Sequence, residues 1–235
     1  MQTKKYGILL YRKKIKENDL YVKILSKDDQ LITCIVYGGD SSKKRNIYQL
    51  GYYLDLILSK KNFNNPYNIK ADLHNPLLGT ILDDKYKLYC LLSLISLINL
   101  SIIEGQTIKG IFNCVDKFIN NLILKKKWII LYCNWLFDLL KVIGYDLDYK
   151  SNSDKKYFDV TLLEFTNIKQ KNSLTFPHSF LAGNKKIQYI YLEIIFIIFE
   201  HIYKNNHLNN FNYNLPDNYI SFKKLILNYL NNNND

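Results

Sequence analysis

Apolar residues along this chain change their spacing near residue 80, and that change decides what each part can fold into. Ahead of it they fall in short, often alternating runs rich in Ile, Val, Leu and Tyr: 6–12, 20–26, 30–38, 51–59 and 67–73. A period of two places successive side chains on opposite faces and predicts strands. KDDQ at 27–30 marks a turn between the second and third runs, and a longer basic connection separates the third from the fourth. Five such strands in about 70 residues suit a small closed barrel of the OB type, which binds oligonucleotides across one face. In the second strand Leu20, Val22 and Ile24 are expected inside, with Tyr21 and Lys23 outside. The outer pair is read as a packed tyrosine beside a solvated lysine rather than a base-stacking pair, in a chain with 20 tyrosines.

From Asp83 onward the apolar residues recur at three- and four-residue steps. Asp83 or Asp84 can cap a helix running to about Ile103, and residues 107–123 suggest another. Trp128, Leu131, Trp135, Leu139 and Val142 form a stripe that stops at Gly144, a natural residue just past a helix end. The stripe is read as core. Residues 146–185 lose the period and hold Pro177 and Gly183, so a loop or hairpin insert is expected there. A helix from Gln188 to Tyr203 and a last one after Pro216 follow, with a frayed tail. The expected class is α+β: an OB-type β-barrel over 1–79, then an α-helical domain over 80–235 with an insert at about 146–185.

The net charge is +11, from 32 basic and 21 acidic residues, which favours an acidic partner. Only Arg12 and Arg45 are arginines, and the abundance of Lys, Asn, Ile and Tyr fits a drift toward AT-rich codons. Drift does not explain where the charge lies. Residues 1–61 hold 13 basic against 6 acidic residues, whereas 62–235 hold 19 against 15. Cys34, Cys90, Cys114 and Cys133 are widely spaced, which fits reduced core thiols in a cytoplasm. Leu88–Ile103 is uncharged but shorter than the ~20 residues a span needs, and Ile187–Lys204 contains two glutamates. Both are read as buried helices of a soluble protein without a membrane partner.

VYGGDSSKKR (36–45) combines glycines, serines and cations in a way that suggests phosphate. A P-loop, G-x-x-x-x-G-K-[ST], wraps a nucleotide's phosphates in glycine amides. Here Ser42 stands where the second glycine belongs, Lys44 where the magnesium hydroxyl belongs, and the glycines are adjacent. A nucleic-acid backbone asks only for cations on a loop with some freedom. His74, His178, His201 and His207 form no metal or catalytic motif, and Glu200 beside His201 is read as a surface pair. Asp28–Asp29 and Asp83–Asp84 read as a turn and a helix cap. Nothing in the sequence requires an enzyme.

Residues 7–45, GILLYRKKIKENDLYVKILSKDDQLITCIVYGGDSSKKR, resemble the start of the RecO family of bacterial recombination mediators. The matching features are Gly7, the Glu17-x-Asp19 pair before a strand, and Gly38 before a Ser-Lys-Arg loop. Trp128–Asp148 resembles that family's central helix, with Leu139–Leu140 and then Gly144–Tyr145, and Leu215–Leu227 resembles its final helix. The matches run in the right order over nearly the whole chain. The resemblance implies an OB barrel joined to a helical domain and a part in DNA repair and homologous recombination. It also implies binding to single- and double-stranded DNA, strand annealing, and cooperation with RecR. The family helps to load RecA onto DNA coated by single-stranded DNA-binding protein (SSB), whose acidic C-terminal tail it recognises. A cytoplasmic, nucleoid-associated location follows from the same resemblance.

Lys44 and Arg45 match the family's basic loop, and Arg12 matches its first-strand basic cluster. Lys43 belongs to the same SSKKR run, and Lys13, Lys14, Lys16, Lys60 and Lys61 join the candidate DNA-binding set on charge alone. Many family members carry four zinc-binding cysteines after the Gly-Tyr motif, but DLDYKSNSDKKYFDV has none, so neither zinc nor another cofactor is expected. Gln30 stands where a glycine is usual and Tyr219 where an arginine is common. On the residues alone two other readings stay open. One is a general OB-fold protein binding RNA or DNA, and the other is an adaptor whose helical domain binds proteins while its lysines are merely solvated.

Overall fold

The computed structural model describes residues 2–59 and 67–232. Five strands, β1 (Gln2–Lys16), β2 (Asp19–Ser26), β3 (Leu31–Val36), β4 (Tyr53–Ser59) and β5 (Tyr67–Asn75), close into a barrel in the order β1-β2-β3-β5-β4. All pairings are antiparallel except the closing pair, in which Cys34 and Ile35 of β3 run parallel to Tyr67 and Asn68 of β5. This is the OB-type barrel expected from the alternating runs. Leu20, Val22 and Ile24 face inward with Leu9, Cys34, Val36, Leu54, Leu56 and Leu58, while Tyr21 and Lys23 lie on the outer face, half-buried.

Among the described residues six α-helices follow a 3-10 segment at Pro76–Ile81: α1 (Lys85–Ser101), α2 (Ile111–Leu124), α3 (Trp128–Val142), α4 (His178–Leu181), α5 (Tyr189–Ile202) and α6 (Asp217–Asn232). Asp84 caps α1, its carboxylate accepting from the Tyr86 and Lys87 amides. α2 starts at Ile111, later than the pattern suggests, because Gly110 sits at φ +88 and its amide is bonded elsewhere. α3 ends at Val142, just before Gly144 at φ +99; of its stripe, Trp128, Trp135 and Leu139 are buried, while Leu131 and Val142 are only half-buried. By compactness the chain divides into units 1–119 and 120–235, so α1 and the first half of α2 group with the barrel.

A long-range cap joins the barrel's β2–β3 turn to α2. Asp29, at φ +62, accepts from the Gly110 amide at 2.8 Å and the Phe112 amide at 2.9 Å, one through each carboxylate oxygen. The pair of aspartates in KDDQ therefore does more than turn the chain. A carboxylate at a helix start satisfies amides that have no partner within the helix and meets the positive end of its dipole. Asp29→Ala is expected to lower stability by about 2 kcal/mol, the cost of a lost cap with two charge-assisted bonds. Faster hydrogen exchange at the Gly110 and Phe112 amides, with a lowered urea midpoint, checks this.

The insert between α3 and α5 holds a three-stranded antiparallel sheet of β6 (Tyr157–Asp159), β7 (Glu164–Thr166) and β8 (Ser173–Thr175), in the order β7-β6-β8. Its cohesion comes from aromatic packing: Phe165 lies 4.9 Å from both Phe158 and Phe176, ring centroid to centroid. Among the described residues no three His, Cys, Asp or Glu side chains are placed to hold a metal ion. Cys34, Cys90 and Cys133 are buried in β3, α1 and α3, and burial pushes the Cys34 thiol up to about 12. No described helix is long and apolar enough to cross a membrane.

Glu200 is not the surface partner of His201 that its neighbourhood in sequence suggests. It accepts from Lys223 Nζ at 2.7 Å and from the Tyr219 hydroxyl at 3.1 Å, joining α5 to α6. The helix period turns its carboxylate toward α6, where Tyr219 is fully buried.

Candidate nucleic-acid interface

The cations of the N-terminal quarter gather where the β1–β2 hairpin meets the β3–β4 connection. The hairpin turns at Glu17 and Asn18, with Lys14 opposite Leu20 and Lys16 opposite Asp19. The connection, 37–52, is anchored at its far end by Tyr48, a ring 2% exposed that fills the barrel core. Consecutive turns lead up to it: Lys44 and Arg45 amides donate to the Ser41 carbonyl, and the Ile47 amide donates to that of Lys44.

This loop is therefore not the freely moving segment that its composition suggests. Hydrogen bonds and an ion pair tie it to the hairpin and its strands. The Gly38 amide donates to Asp19 Oδ1 at 2.8 Å, and the Asp40 amide to the Asn18 carbonyl at 2.8 Å. Arg12 donates to the Tyr48 carbonyl at 2.8 Å and to Asp40 Oδ1 at 3.0 Å, while Lys14 Nζ lies 3.5 Å from Asp40 Oδ2. The glycine, serine and lysine content signals a turn, but a buried tyrosine and a shared aspartate decide its rigidity.

The nine candidate cations thus fall into three groups. Arg12 is half-buried and has both ends of its guanidinium occupied within the protein, and Lys14 shares the same carboxylate while staying exposed. Lys13, Lys16, Lys43, Lys44 and Arg45 are exposed, with Lys44 Nζ resting 3.3 Å from the Tyr37 carbonyl. Lys60 and Lys61 lie outside the described residues. The structure brings the first two groups to one end of the barrel, with Asp40 as the only carboxylate paired to them among the described residues. Clustered ammonium and guanidinium groups on a fixed loop can neutralise successive phosphates of a polyanion.

Beside this cluster, on the outer face of β1 and β2, Tyr11 meets Tyr21 edge-on at 6.3 Å and Lys23 Nζ lies 5.8 Å from the Tyr11 ring. Tyr21 is packed as expected, whereas Lys23 is half-buried against Tyr11 rather than fully solvated. Its cross-strand neighbour was not foreseen, because a register shift between Leu9 and Tyr11 sets which residues face each other.

A second feature, in residues 120–235, had no sequence signal. Three adjoining depressions of about 470, 390 and 400 Å³ run past α4, the first two sharing His178 and Ser179, the last two Leu181 and Asn134. Their floor includes Ile130, Leu131, Phe180, Leu181 and Ile194. Lysines rim the groove throughout: Lys125–Lys127 at one end, Lys150 midway, and Lys155, Lys156 and Lys185 at the other, with Asp154 as the one carboxylate in the described lining. The groove was illegible because its residues come from four separate stretches of chain.

Comparison with known proteins supports the resemblance read from the sequence. Residues 1–76 match the family model Recombination protein O N terminal. The chain is 29% identical over 148 residues to the DNA repair protein RecO of Rickettsia canadensis, covering 63% of this chain and 61% of that protein. It is 30% identical over 150 residues to the DNA repair protein RecO of Rickettsia akari, covering 63% and 62%. The matches thus span about three fifths of the length of these relatives.

Proposed function

We propose that this chain, whose residues 1–76 match the recombination protein O N-terminal family model, is a DNA-binding mediator of repair and homologous recombination. The observation that carries the proposal is the cationic end of the barrel, where Lys13, Lys16, Lys43, Lys44 and Arg45 stand exposed on a hairpin and loop fixed to each other. These side chains neutralise backbone phosphates of single- and double-stranded DNA without reading bases. Arg12 and Lys14 hold Asp40, and so hold the loop that presents the others. Neutralisation lets two complementary polyanions approach, so the protein anneals strands without ATP hydrolysis.

The lysine-rimmed apolar groove suits an acidic peptide ending in apolar residues, with the carboxylates on the rim and the apolar groups on the floor. This is the place we assign to the acidic C-terminal tail of SSB. Binding there brings the protein to SSB-coated strands in the cytoplasm, where with RecR it promotes the loading of RecA.

An annealing assay on complementary strands, bare and SSB-coated, tests the proposal. The protein is expected to accelerate both reactions with no nucleotide present. Changing Lys155, Lys156 and Lys185 to Ala should leave the bare reaction intact and slow the SSB-coated one about tenfold, as expected if three rim charges each contribute a few tenths of a kcal/mol. Failure to anneal bare strands, or strict dependence on ATP, contradicts the proposal.

A further inference from the structure

Among the tyrosines of the described barrel strands and their connections, Tyr37 alone keeps most of its surface in solvent, at 58% exposure. It is the first residue beyond β3, immediately before Gly38, whose φ of +65 turns the chain into the cationic loop. The peptide that joins these two residues is held at both of its polar atoms. Its carbonyl accepts from Lys44 Nζ at 3.3 Å, and its N–H donates to Asp19 Oδ1 at 2.8 Å. An exposed ring is thereby mounted on a fixed backbone whose carbonyl holds the Lys44 ammonium. By contrast Tyr11 and Tyr21 pack on each other, and Tyr48 and Tyr53 are buried.

We propose that Tyr37 is a base-stacking residue: its ring takes the face of an unpaired nucleobase while Lys44 meets the adjoining phosphate, which gives this end of the barrel a preference for single-stranded over double-stranded polynucleotide. The inference rests on the DNA-binding function proposed above. Every nucleobase offers a π-face, so stacking on a tyrosine is tolerant of sequence, and a preorganised mount leaves little ordering to be lost on binding. In a duplex both faces of an internal base are already covered by its neighbours, and a protein reaches one only by unstacking it. Phosphate contacts alone do not make that distinction, since both forms carry the same backbone. Tyr37 therefore supplies what the lysines and arginines around it cannot.

The test compares wild type with Tyr37→Ala and Tyr37→Trp on three probes: an oligothymidylate strand, an abasic strand of equal length, and a duplex. Tyr37→Ala is expected to bind the oligothymidylate about five- to a hundredfold more weakly, the range for loss of one stacked base. Its salt slope should not change, because stacking releases no counterions. Binding to the abasic strand and the duplex should stay at the wild-type level, and Tyr37→Trp should restore binding to the oligothymidylate. Wild-type affinity of Tyr37→Ala for the oligothymidylate overturns the stacking assignment while leaving the DNA-binding function standing. Equal losses on all three probes also overturn it. Wild type that binds none of the probes overturns both.

Discussion

Gly7→Ala is expected to destabilise the barrel by about 3 kcal/mol or more, at the upper end of the range for overpacking a core. Gly7 lies in β1 opposite Ser26 of β2 on one side and Leu54 of β4 on the other, so it is locked into two ladders at once. A Cβ placed there would fall 2.6 Å from the Leu25 carbonyl oxygen and 2.6 Å from Ile24 Cγ2, closer than real Cβ atoms come. The isoleucine could shift, but the carbonyl belongs to the backbone of β2 and moves only if the two strands part. At Gly39 the same change meets Val36 Cγ1 at 2.8 Å, Val36 Cβ at 2.9 Å and Leu20 Cδ1 at 3.1 Å, so it too should destabilise the barrel. Urea unfolding followed by far-ultraviolet circular dichroism measures both. An unchanged midpoint for Gly7→Ala would mean that β1 and β2 are not packed as described.

The strands and helices were legible because each keeps one face in a local core, and a face shows up as a period. Leu20, Val22 and Ile24 announced an inward face, and the stripe that buries Trp128, Trp135 and Leu139 announced a helix. The stops were legible too, since Gly144 at φ +99 occupies a conformation that favours glycine. What stayed hidden depends on partners far apart in sequence. Asp29 caps a helix that begins some eighty residues later, and nothing around Asp29 or Ile111 records the pairing. Glu200 looked like half of a surface pair until α6 was seen to supply Tyr219 and Lys223.

The candidate site was half legible for the same reason. Lys43, Lys44 and Arg45 stood out as a run of charge, and the structure leaves all three exposed. The charge of Arg12 was equally plain, but its engagement with Asp40 and the Tyr48 carbonyl was not, because that depends on how the loop folds back over the hairpin. Composition reported where cations are. Only the fold reports which of them are already occupied.

That division leads to the second large effect, which falls on DNA binding. Changing Lys43, Lys44 and Arg45 together to Ala removes three exposed charges and no buried side chain. The turn they occupy is held by backbone bonds and by Tyr48, which the substitutions leave in place. Stability should therefore change little, while affinity for DNA should fall by a similar factor on unrelated sequences. If each side chain neutralises one phosphate, three fewer counterions are released. At about 0.7 per contact on single strands, the slope of log K against log salt should become shallower by about 2 units. Lys155→Ala, Lys156→Ala and Lys185→Ala combined remove the same charge from the helical unit and serve as the reference.

The salt dependence of single-stranded DNA binding, measured side by side for wild type and these two triple variants, is the most direct test that the cationic end of the barrel is the DNA interface. The loop variant should lose about 2 units of slope while the groove variant keeps the wild-type slope. Equal slopes for the two variants would contradict the assignment and leave the lysines of the loop as ordinary solvated charge.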